Sequence, residues 1–241
     1  MLYWLDPDGD PEEFPDPELA AKEPNGLLAV GGDLSPRRLL AAYRRGIFPW
    51  YSADEPILWW TPDPRAVLFL DELKISRSLR KSIRKGEFTV TADRDFAAVI
   101  DACATARRQR EGTWISTPLR EAYCTLHRLG IAHSIETWRA DQLVGGLYGV
   151  SVGRMFFGES MFSRVTDASK VALTALVAQL TRWDFGPIDC QVRSAHLLSL
   201  GAREIPRAEF CKLLLHWQQQ RGPVGNWALD HDLLAADNPD N

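Results

Sequence analysis

Hydrophobic and polar positions are spaced differently in the two parts of this chain, and the change lies near residue 60. In the first part, short apolar stretches are separated by Pro, Gly and Trp, and the clearest predicted helix is capped by Ser35 and ended by Gly46. An apolar run over residues 66–70 then predicts the first strand of a second part. We therefore predict a small N-terminal domain over residues 1–62 and a larger domain over residues 63–241.

The larger part has a regular order of helical and strand-like patterns. Helical spacing of apolar residues predicts helices over residues 76–85, 93–106, 117–129, 168–181, 195–200 and 208–219, with Thr117 as the cap of the third. Apolar runs bounded by turn residues predict strands over residues 133–138, 143–150, 155–158 and 187–192. This order is typical of an α+β domain with a mostly antiparallel sheet. The tail after Gly222 is expected to be irregular.

The composition is that of an ordinary globular protein, with 45% hydrophobic and 25% charged residues among 241. No apolar run reaches the ~20 residues that a membrane span needs, and the acidic N-terminus lacks the basic region of a secretory signal. The cysteines show no CxxC spacing and the histidines no metal-ligand spacing. We therefore expect no metal site, no membrane association and a cytoplasmic location.

The net charge of −4 argues against a protein that coats nucleic acid generally, because such domains tend to be basic. Basic residues nevertheless cluster over residues 37–45, 77–85 and 107–110. Solvated helix faces explain most such clusters, and a local docking patch for phosphates is the alternative. Composition therefore leaves a local nucleic-acid contact open.

The segment IDCQV, residues 188–192, is the most informative for chemistry. If it is a strand, Asp189 and Gln191 share one face, whereas Ile188, Cys190 and Val192 point to the other. A satisfied polar pair at a strand end would explain them, since unpaired burial is costly. Alternatively, the carboxylate orients or deprotonates an amine nucleophile, and the amide donates to a developing oxyanion in acyl transfer.

The segment FFGESMF, residues 156–162, places a carboxylate among aromatic residues. Gly158 interrupts a strand pattern, which often marks the close approach of a ligand or of another backbone. The following Glu159 is either a buried, hydrogen-bonded structural acid or a group that recognises a charged amine. No glycine-rich phosphate loop and no GxSxG nucleophile motif accompany these segments.

Taken together, the segments resemble one family. In chain order, the signature of bacterial leucyl/phenylalanyl-tRNA–protein transferases is matched by EPNGLLAVGGDLSP, YRRGIFPW, ILWWTPDPRAVL, EGTWI, AHSIE, LVGGLYGV, FFGESMFSR, ASKVAL and IDCQV. The match extends from Glu23 to Pro206. The resemblance implies a small N-terminal domain followed by a catalytic domain of the acetyltransferase (GNAT-like) fold.

The resemblance also implies a reaction. Leu or Phe, and Met less well, would be transferred from aminoacyl-tRNA to acceptor proteins with N-terminal Arg or Lys, which marks them for degradation. The ester of the charged tRNA is already activated, so no cofactor is expected. We expect the protein to act as a monomer.

Site residues follow from the same resemblance. Asp189 and Gln191 match the catalytic centre, and Glu159 matches a substrate-binding carboxylate. An apolar pocket for the donor side chain is implied at Trp50, Trp114, Phe156, Met161, Leu173, Leu176 and Ile188. A surface for the tRNA acceptor stem is implied at Arg77, Lys81, Arg84 and Lys85, whose spacing suits one helix face. Two positions differ from the family pattern: Ser194 stands where the pattern has Asn, and Leu176 stands where the pattern also allows an aromatic residue.

Two other functions compete with this one. An acetyl-CoA-dependent N-acetyltransferase shares the implied fold, but such enzymes hold the CoA pyrophosphate on a glycine-rich turn before the long helix. The corresponding stretch here, FSRVTDASK, contains no glycine. A non-catalytic tRNA- or peptide-binding module is the other alternative, and the shared face of Asp189 and Gln191 argues against it.

Overall fold

The structure is a computed structural model that describes residues 2–108 and 115–234. Its N-terminal part forms a four-stranded sheet in the order β1-β2-β4-β3, in which the β1–β2 pair is parallel. The elements are β1 (Tyr3–Leu5), a 3-10 turn (Pro17–Leu19), β2 (Leu27–Gly31), α1 (Pro36–Tyr43), β3 (Phe48–Pro49) and β4 (Leu58–Trp60). As predicted, Ser35 caps α1, accepting from the Arg38 amide, and Gly46 follows the helix with a φ of 72°.

The rest of the described chain forms a seven-stranded sheet in the order β11-β5-β10-β9-β8-β7-β6. The strands are β5 (Arg65–Leu68), β6 (Thr89–Ala92), β7 (Ala132–Arg139), β8 (Gln142–Val152), β9 (Met155–Ser163), β10 (Ile188–Gln191) and β11 (Arg203–Ile205). Strands β9 and β10 pair in parallel, whereas the other neighbouring strands pair antiparallel. The predicted α+β class with a mostly antiparallel sheet is confirmed.

Helices cover both faces of this sheet. They are α2 (Arg77–Arg84), α3 (Phe96–Arg108), α4 (Thr117–Arg128), α5 (Ala168–Arg182), α6 (Ala195–Ser199) and α7 (Arg207–Trp217), with a 3-10 turn at Leu70–Glu72. The cap of α4 is Ser116 rather than the predicted Thr117, because the Ser116 side chain accepts from the Leu119 amide.

Two predicted strands have different ends. The strand predicted over residues 66–70 ends at Leu68, because a 3-10 turn begins at Leu70. The strand predicted to end at Gly158 continues to Ser163. The polar residue after Gly158 is accommodated there by a shift in register, so the strand does not stop.

The core consists of two apolar clusters on opposite faces of the large sheet. Neighbouring residues on one strand enter different clusters, as Phe156 and Phe157 do in β9. The first cluster joins the small sheet and α1 to α3, α4 and α7, so it extends across the predicted boundary between residues 62 and 63. The second lies between the sheet and α5. The domain boundary itself stays a prediction.

Within the described ranges, none of the helices combines the length and apolar character that crossing a membrane requires.

Candidate active site

Each of the parallel strands β9 and β10 contains one extra residue. In β9 the register with β8 shifts at Glu159, and in β10 the register with β5 shifts at Cys190. Such bulges turn neighbouring side chains away from the regular alternation. Gln191 follows the second bulge with a φ of 62°, which residues other than glycine seldom adopt. Its side-chain amide donates to Glu159 Oε1 at 2.7 Å, so the two bulges bring these polar groups together.

The predicted orientation of the IDCQV segment is confirmed for residues 188–191, whereas Val192 follows the end of the strand and is exposed. Ile188 lies in the cluster under α5, and Cys190 packs against the same cluster. Asp189 and Gln191 instead hydrogen-bond on the opposite side of the sheet. Burial raises the pKa of the Cys190 thiol, which is poorly suited to act as a nucleophile.

Asp189 is fully enclosed and is paired with a residue that the sequence did not single out. Arg65, at the start of β5, donates from Nε to Asp189 Oδ1 at 2.8 Å and from Nη2 to Oδ2 at 2.7 Å. The backbone N–H of Gln191 also donates to Asp189 Oδ1, at 2.9 Å. The Arg65 guanidinium lies between the rings of Phe48 and Phe210. Asp189 therefore connects β5 to the bulge that presents Gln191.

Glu159 is the centre of a buried hydrogen-bond network. Tyr43 from α1 contacts Glu159 Oε1 and Tyr123 from α4 contacts Oε2, each at 2.8 Å. The two tyrosine hydroxyls are also 2.6 Å apart. With Gln191 added, the network joins two helices to two strands.

The number of protons in this network favours a protonated Glu159. Two hydroxyl protons cannot serve the three contacts among Tyr43, Tyr123 and Glu159, and a protonated carboxyl group supplies the third. Burial raises the pKa of Glu159 to about 7, although the hydrogen bonds from the two tyrosines lower it. Glu159 therefore titrates near neutral pH, in the range that proton transfer requires.

Pairing between β9 and β10 is limited to two positions, Ile188 with Phe156 and Asp189 with Phe157. Beyond them the pairing ends at Gly158, which has no side chain of its own. A Cβ added at Gly158 would lie 3.6 Å from the Asp189 carbonyl oxygen, an ordinary van der Waals distance. This end of the pairing lies between the Glu159 network on one face and the apolar cluster on the other.

Most of the predicted pocket residues come together in the cluster under α5. Four of them are buried members of the cluster: Phe156, Leu173, Leu176 and Ile188. Met161 is half-buried and packs against it. Trp50 does not belong to this cluster in the described structure. Its side chain is 44% exposed and packs against Trp60 at a ring distance of 5.6 Å. Trp114 lies outside the described residues.

The predicted basic surface forms one side of α2. An open surface concavity of about 490 Å³ is lined by Arg80 and by the four predicted residues, Arg77, Lys81, Arg84 and Lys85. All five side chains are exposed, and Leu79 anchors the other side of the helix in the protein. Ser82 donates to Asp167 at 2.8 Å, so α2 is tied to the start of α5, the helix that carries Leu173 and Leu176.

Sequence reasoning missed Arg65, Tyr43 and Tyr123. Each contacts its site partner across a long stretch of chain, 124 residues for Arg65 with Asp189 and 116 for Tyr43 with Glu159. A charged residue at the start of the apolar run 66–70 was the one signal for Arg65. Tyr43 and Tyr123 look like ordinary apolar-face residues of their helices, which gives no local sign of the network.

Within residues 2–108 and 115–234, no group of three or more His, Cys, Asp or Glu side chains is arranged to hold a metal ion.

Comparisons with known proteins agree on one family. The family described as "Leucyl/phenylalanyl-tRNA protein transferase" matches residues 67–215, and its N-terminal domain matches residues 32–63. The leucyl/phenylalanyl-tRNA–protein transferase of Nitrosospira multiformis is 56% identical over 232 residues, which are 96% of this chain and 99% of that relative. The corresponding protein of Stutzerimonas stutzeri is 59% identical over 214 residues, or 89% and 94% of the two chains.

Among solved structures, L-PGS from Bacillus licheniformis is similar with a TM-score of 0.39 and 10% identity, over 67% of this chain and 52% of that one. The family assignment depends instead on the sequence matches, which cover both parts of the chain. This chain belongs to the leucyl/phenylalanyl-tRNA–protein transferase family.

Proposed function

We propose that this protein transfers Leu or Phe, and Met less well, from aminoacyl-tRNA to the N-terminal Arg or Lys of acceptor proteins. The new N-terminal residue marks the product for degradation, and the enzyme acts as a monomer in the cytoplasm. The observation that carries the proposal is the meeting of the Gln191 amide and the Glu159 carboxyl group where the pairing of β9 and β10 ends. The apolar cluster under α5 lies on the other face of the sheet at the same place and offers a hydrophobic side chain apolar partners.

The reaction is aminolysis of an activated ester. The neutral α-amine of the acceptor attacks the ester carbonyl carbon, a C–N bond forms, and negative charge develops on the carbonyl oxygen. The bond to the ribose oxygen then breaks, and the tRNA hydroxyl leaves with the proton that the amine releases. Because the ester is already activated, the reaction requires neither a nucleotide nor a metal.

Gln191 is the proposed donor to the developing oxyanion. Its side-chain amide has two N–H groups, and one of them is used on Glu159. The second is available to the substrate oxygen, where one such donor typically contributes about 3–4 kcal/mol to transition-state stabilisation. The backbone conformation of Gln191 at the bulge, with a φ of 62°, already directs the side chain toward the site. Little movement of the side chain is therefore required to form this hydrogen bond.

Asp189 is proposed to position Gln191 and not to remove a proton. Both of its carboxylate oxygens already accept hydrogen bonds from Arg65, and one also accepts a hydrogen bond from the backbone N–H of Gln191. Complete burial separates it from an incoming amine. Glu159 differs in that its pKa lies near neutral pH, and its ionised carboxylate is the group proposed to bind an amine of the substrate beside Gln191.

The donor side chain is proposed to enter the cluster under α5. The side chains of Phe156, Ile188 and the α5 residues of this cluster are apolar, which favours a hydrophobic donor side chain over a polar one. Trp50 is proposed to contact the donor from outside this cluster, and the contact implied for Trp114, which lies outside the described residues, stays a prediction. The basic face of α2 is proposed to bind the acceptor stem through phosphate contacts that do not depend on sequence.

The test is transfer from radiolabelled leucyl-tRNA to a peptide that begins with Arg. We expect labelled peptide, with much less product from a peptide that begins with Ala and none from an N-acetylated Arg peptide, which has no free amine. The same preparation is titrated with acetyl-CoA. Acetylation of the peptide would support an acetyltransferase, and binding of charged tRNA without transfer would support a non-catalytic module; either result would overturn the proposal.

A further inference from the structure

The chain after α7 forms an ordered strap although it contains neither a helix nor a strand within the described residues. At Gly222 the backbone approaches Gly153 so closely that an added Cβ would lie 2.3 Å from the Gly153 carbonyl oxygen. A Cβ on Gly130 would lie 3.0 Å from the Cα of Gly225. The strap therefore passes closely over the turn between β8 and β9 and over the link between α4 and β7, and it reaches the α5 side of the sheet.

Trp227 is the residue that the strap inserts into the protein. Its side chain is 4% exposed and belongs to the cluster under α5. The indole stacks on His133 with a ring distance of 3.9 Å and an interplanar angle of 6°. It also lies 5.7 Å from the ring of Phe156, one of the proposed pocket residues, and 5.1 Å from that of Trp183.

Polar contacts hold the strap at Trp227 and at residues that follow it. The Trp227 amide donates to Asp93 Oδ2 at 2.7 Å, and that carboxylate also pairs with His133 at 2.8 Å. Farther along, Gln179 of α5 accepts the Asp230 amide at 2.7 Å. Arg182 pairs with the carboxylates of Asp230 and Asp232. The indole is thus fixed from the sheet and from α5, and is not a loosely packed end of the chain.

From this geometry we infer that Trp227 is a positioning residue that determines donor specificity. The inference rests on the proposed function, in which the cluster under α5 holds the donor side chain. Phe156 is one proposed wall of that pocket, and Trp227 packs against Phe156 in the same cluster. Close packing keeps the Phe156 ring from withdrawing, so the indole limits the size of the side chain that the pocket accepts.

The consequence is a change in the ranking of donors. In Trp227→Leu, the space behind Phe156 becomes larger and the Phe156 ring can move away from the pocket. Phe transfer should then gain relative to Leu transfer. A directly contacted methylene changes discrimination by about 10- to 200-fold, and an effect passed through one ring should be smaller, roughly three- to tenfold.

The experiment measures kcat/KM for leucyl-tRNA and phenylalanyl-tRNA with the same Arg peptide, in the full-length protein. Trp227→Leu is the main variant, and Trp227→Phe keeps a ring if the first variant does not fold. Leu233→Ala is the matched control, since it removes a buried apolar side chain of the strap that does not belong to the cluster under α5. Thermal melts record how far each variant is destabilised.

A shift of the Phe-to-Leu ratio in the Trp227 variants, with an unchanged ratio in Leu233→Ala, supports the inference. An unchanged ratio in a folded Trp227 variant overturns it, because a residue that only stabilises the fold lowers both rates together. The proposed function fails in a different way: the wild-type protein would then transfer neither amino acid, and the inference would fall with it.

Discussion

Arg65 and Asp189 form a bidentate ion pair that is closed to solvent. The Asp189 carboxylate also accepts a hydrogen bond from the backbone N–H of Gln191 in the bulge of β10. The pair therefore connects strand pairing to the position of the proposed oxyanion donor. A buried charge without its partner is costly, so the two residues are expected to depend on each other strongly.

Replacing Arg65 by Met should destabilise the protein by about 3–5 kcal/mol, because it leaves the Asp189 carboxylate buried without its partner. Urea unfolding measures the change. Arg203→Met is the control, since it breaks an exposed pair with Glu72 at 3.0 Å and should cost no more than about 1 kcal/mol. Equal losses in the two variants would mean that the Arg65 pair contributes no more than a surface contact.

Gln191→Ala should lower kcat by about two to three orders of magnitude while tRNA binding stays nearly intact, because the proposed hydrogen bond forms in the transition state. Single-turnover transfer and a separate tRNA-binding titration measure the two quantities. Cys190→Ala, on the other face of the same strand, is the control and should have a nearly normal rate. A silent Gln191→Ala and a severe Cys190→Ala would overturn the mechanism.

Asp189→Asn should slow transfer as well, although the side chain keeps its size. An amide does not accept from Arg65 on both of its polar atoms, so the contacts that place Gln191 are weakened. A positioning role predicts that the pH profile of kcat keeps its shape while the rate falls. Loss of an inflection from the profile in Asp189→Asn would instead identify Asp189 as a general base.

The raised pKa of Glu159 predicts a specific dependence of stability on pH. Between about pH 4.5 and pH 7 the folded protein binds more protons at Glu159 than the unfolded chain, so the free energy of unfolding falls as the pH rises. The loss across this window is of order 3 kcal/mol. Glu159→Gln cannot titrate, and its stability relative to wild type should therefore rise over the same window. Urea unfolding of both proteins from pH 4.5 to 8 measures the difference in the free energy of unfolding. A difference that does not change with pH would contradict the prediction.

Arg84→Ala combined with Lys85→Ala should weaken the use of charged tRNA far more than the use of a short aminoacyl-adenosine donor. The reason is that phosphate contacts release counterions, so the affinity for tRNA should also depend less steeply on salt. Arg37→Ala, another exposed arginine, in α1, serves as the control. Equal loss with both donors would show that the basic face of α2 supports folding instead.

Met161→Ala should reduce leucyl transfer relative to transfer of a bulkier donor, because it removes volume from the proposed pocket. The expected change in discrimination is modest, within about 1–3 kcal/mol. The ratio of kcat/KM for the two charged tRNAs is the measurement. An unchanged ratio would assign Met161 to the core alone.

Local patterns in the sequence were sufficient for the helices and the longer strands of the larger part and for the faces of β10, but they did not predict the N-terminal strands or the short strands β6 and β11. Ser35 with Gly46, and the alternation of Asp189 with Ile188, are determined by neighbouring residues, so the pattern predicts them. The bulge at Glu159 was not predictable in this way. A strand that gains one residue differs from a strand that ends only through its pairing with β8, which the sequence does not display.

The same limit applies to the site. Asp189, Gln191 and Glu159 were found because polar residues within apolar strands are conspicuous. Arg65 and Tyr43 were missed because they become site residues only through partners more than a hundred positions away. The strap was expected to be irregular, and it contains neither a helix nor a strand among its described residues. Its pattern gave no sign that Trp227 would be buried beside Phe156.

The two bulges also restrict how the length of this chain can change. Side chains of a strand alternate, so removing Cys190 would bring β10 back into regular pairing and turn over Gln191, the last residue of the strand. Gln191 would then face α5, and its amide would lie on the wrong side of the sheet from Glu159. Removing Glu159 would leave the facing of the rest of β9 unchanged, because Phe157 and Phe162 already lie on one face, but it would take away the carboxyl group at the centre of the network. Single-residue deletions in these two short segments should therefore be far less tolerated than most substitutions there, and natural variation in length should be confined to the loops between strands.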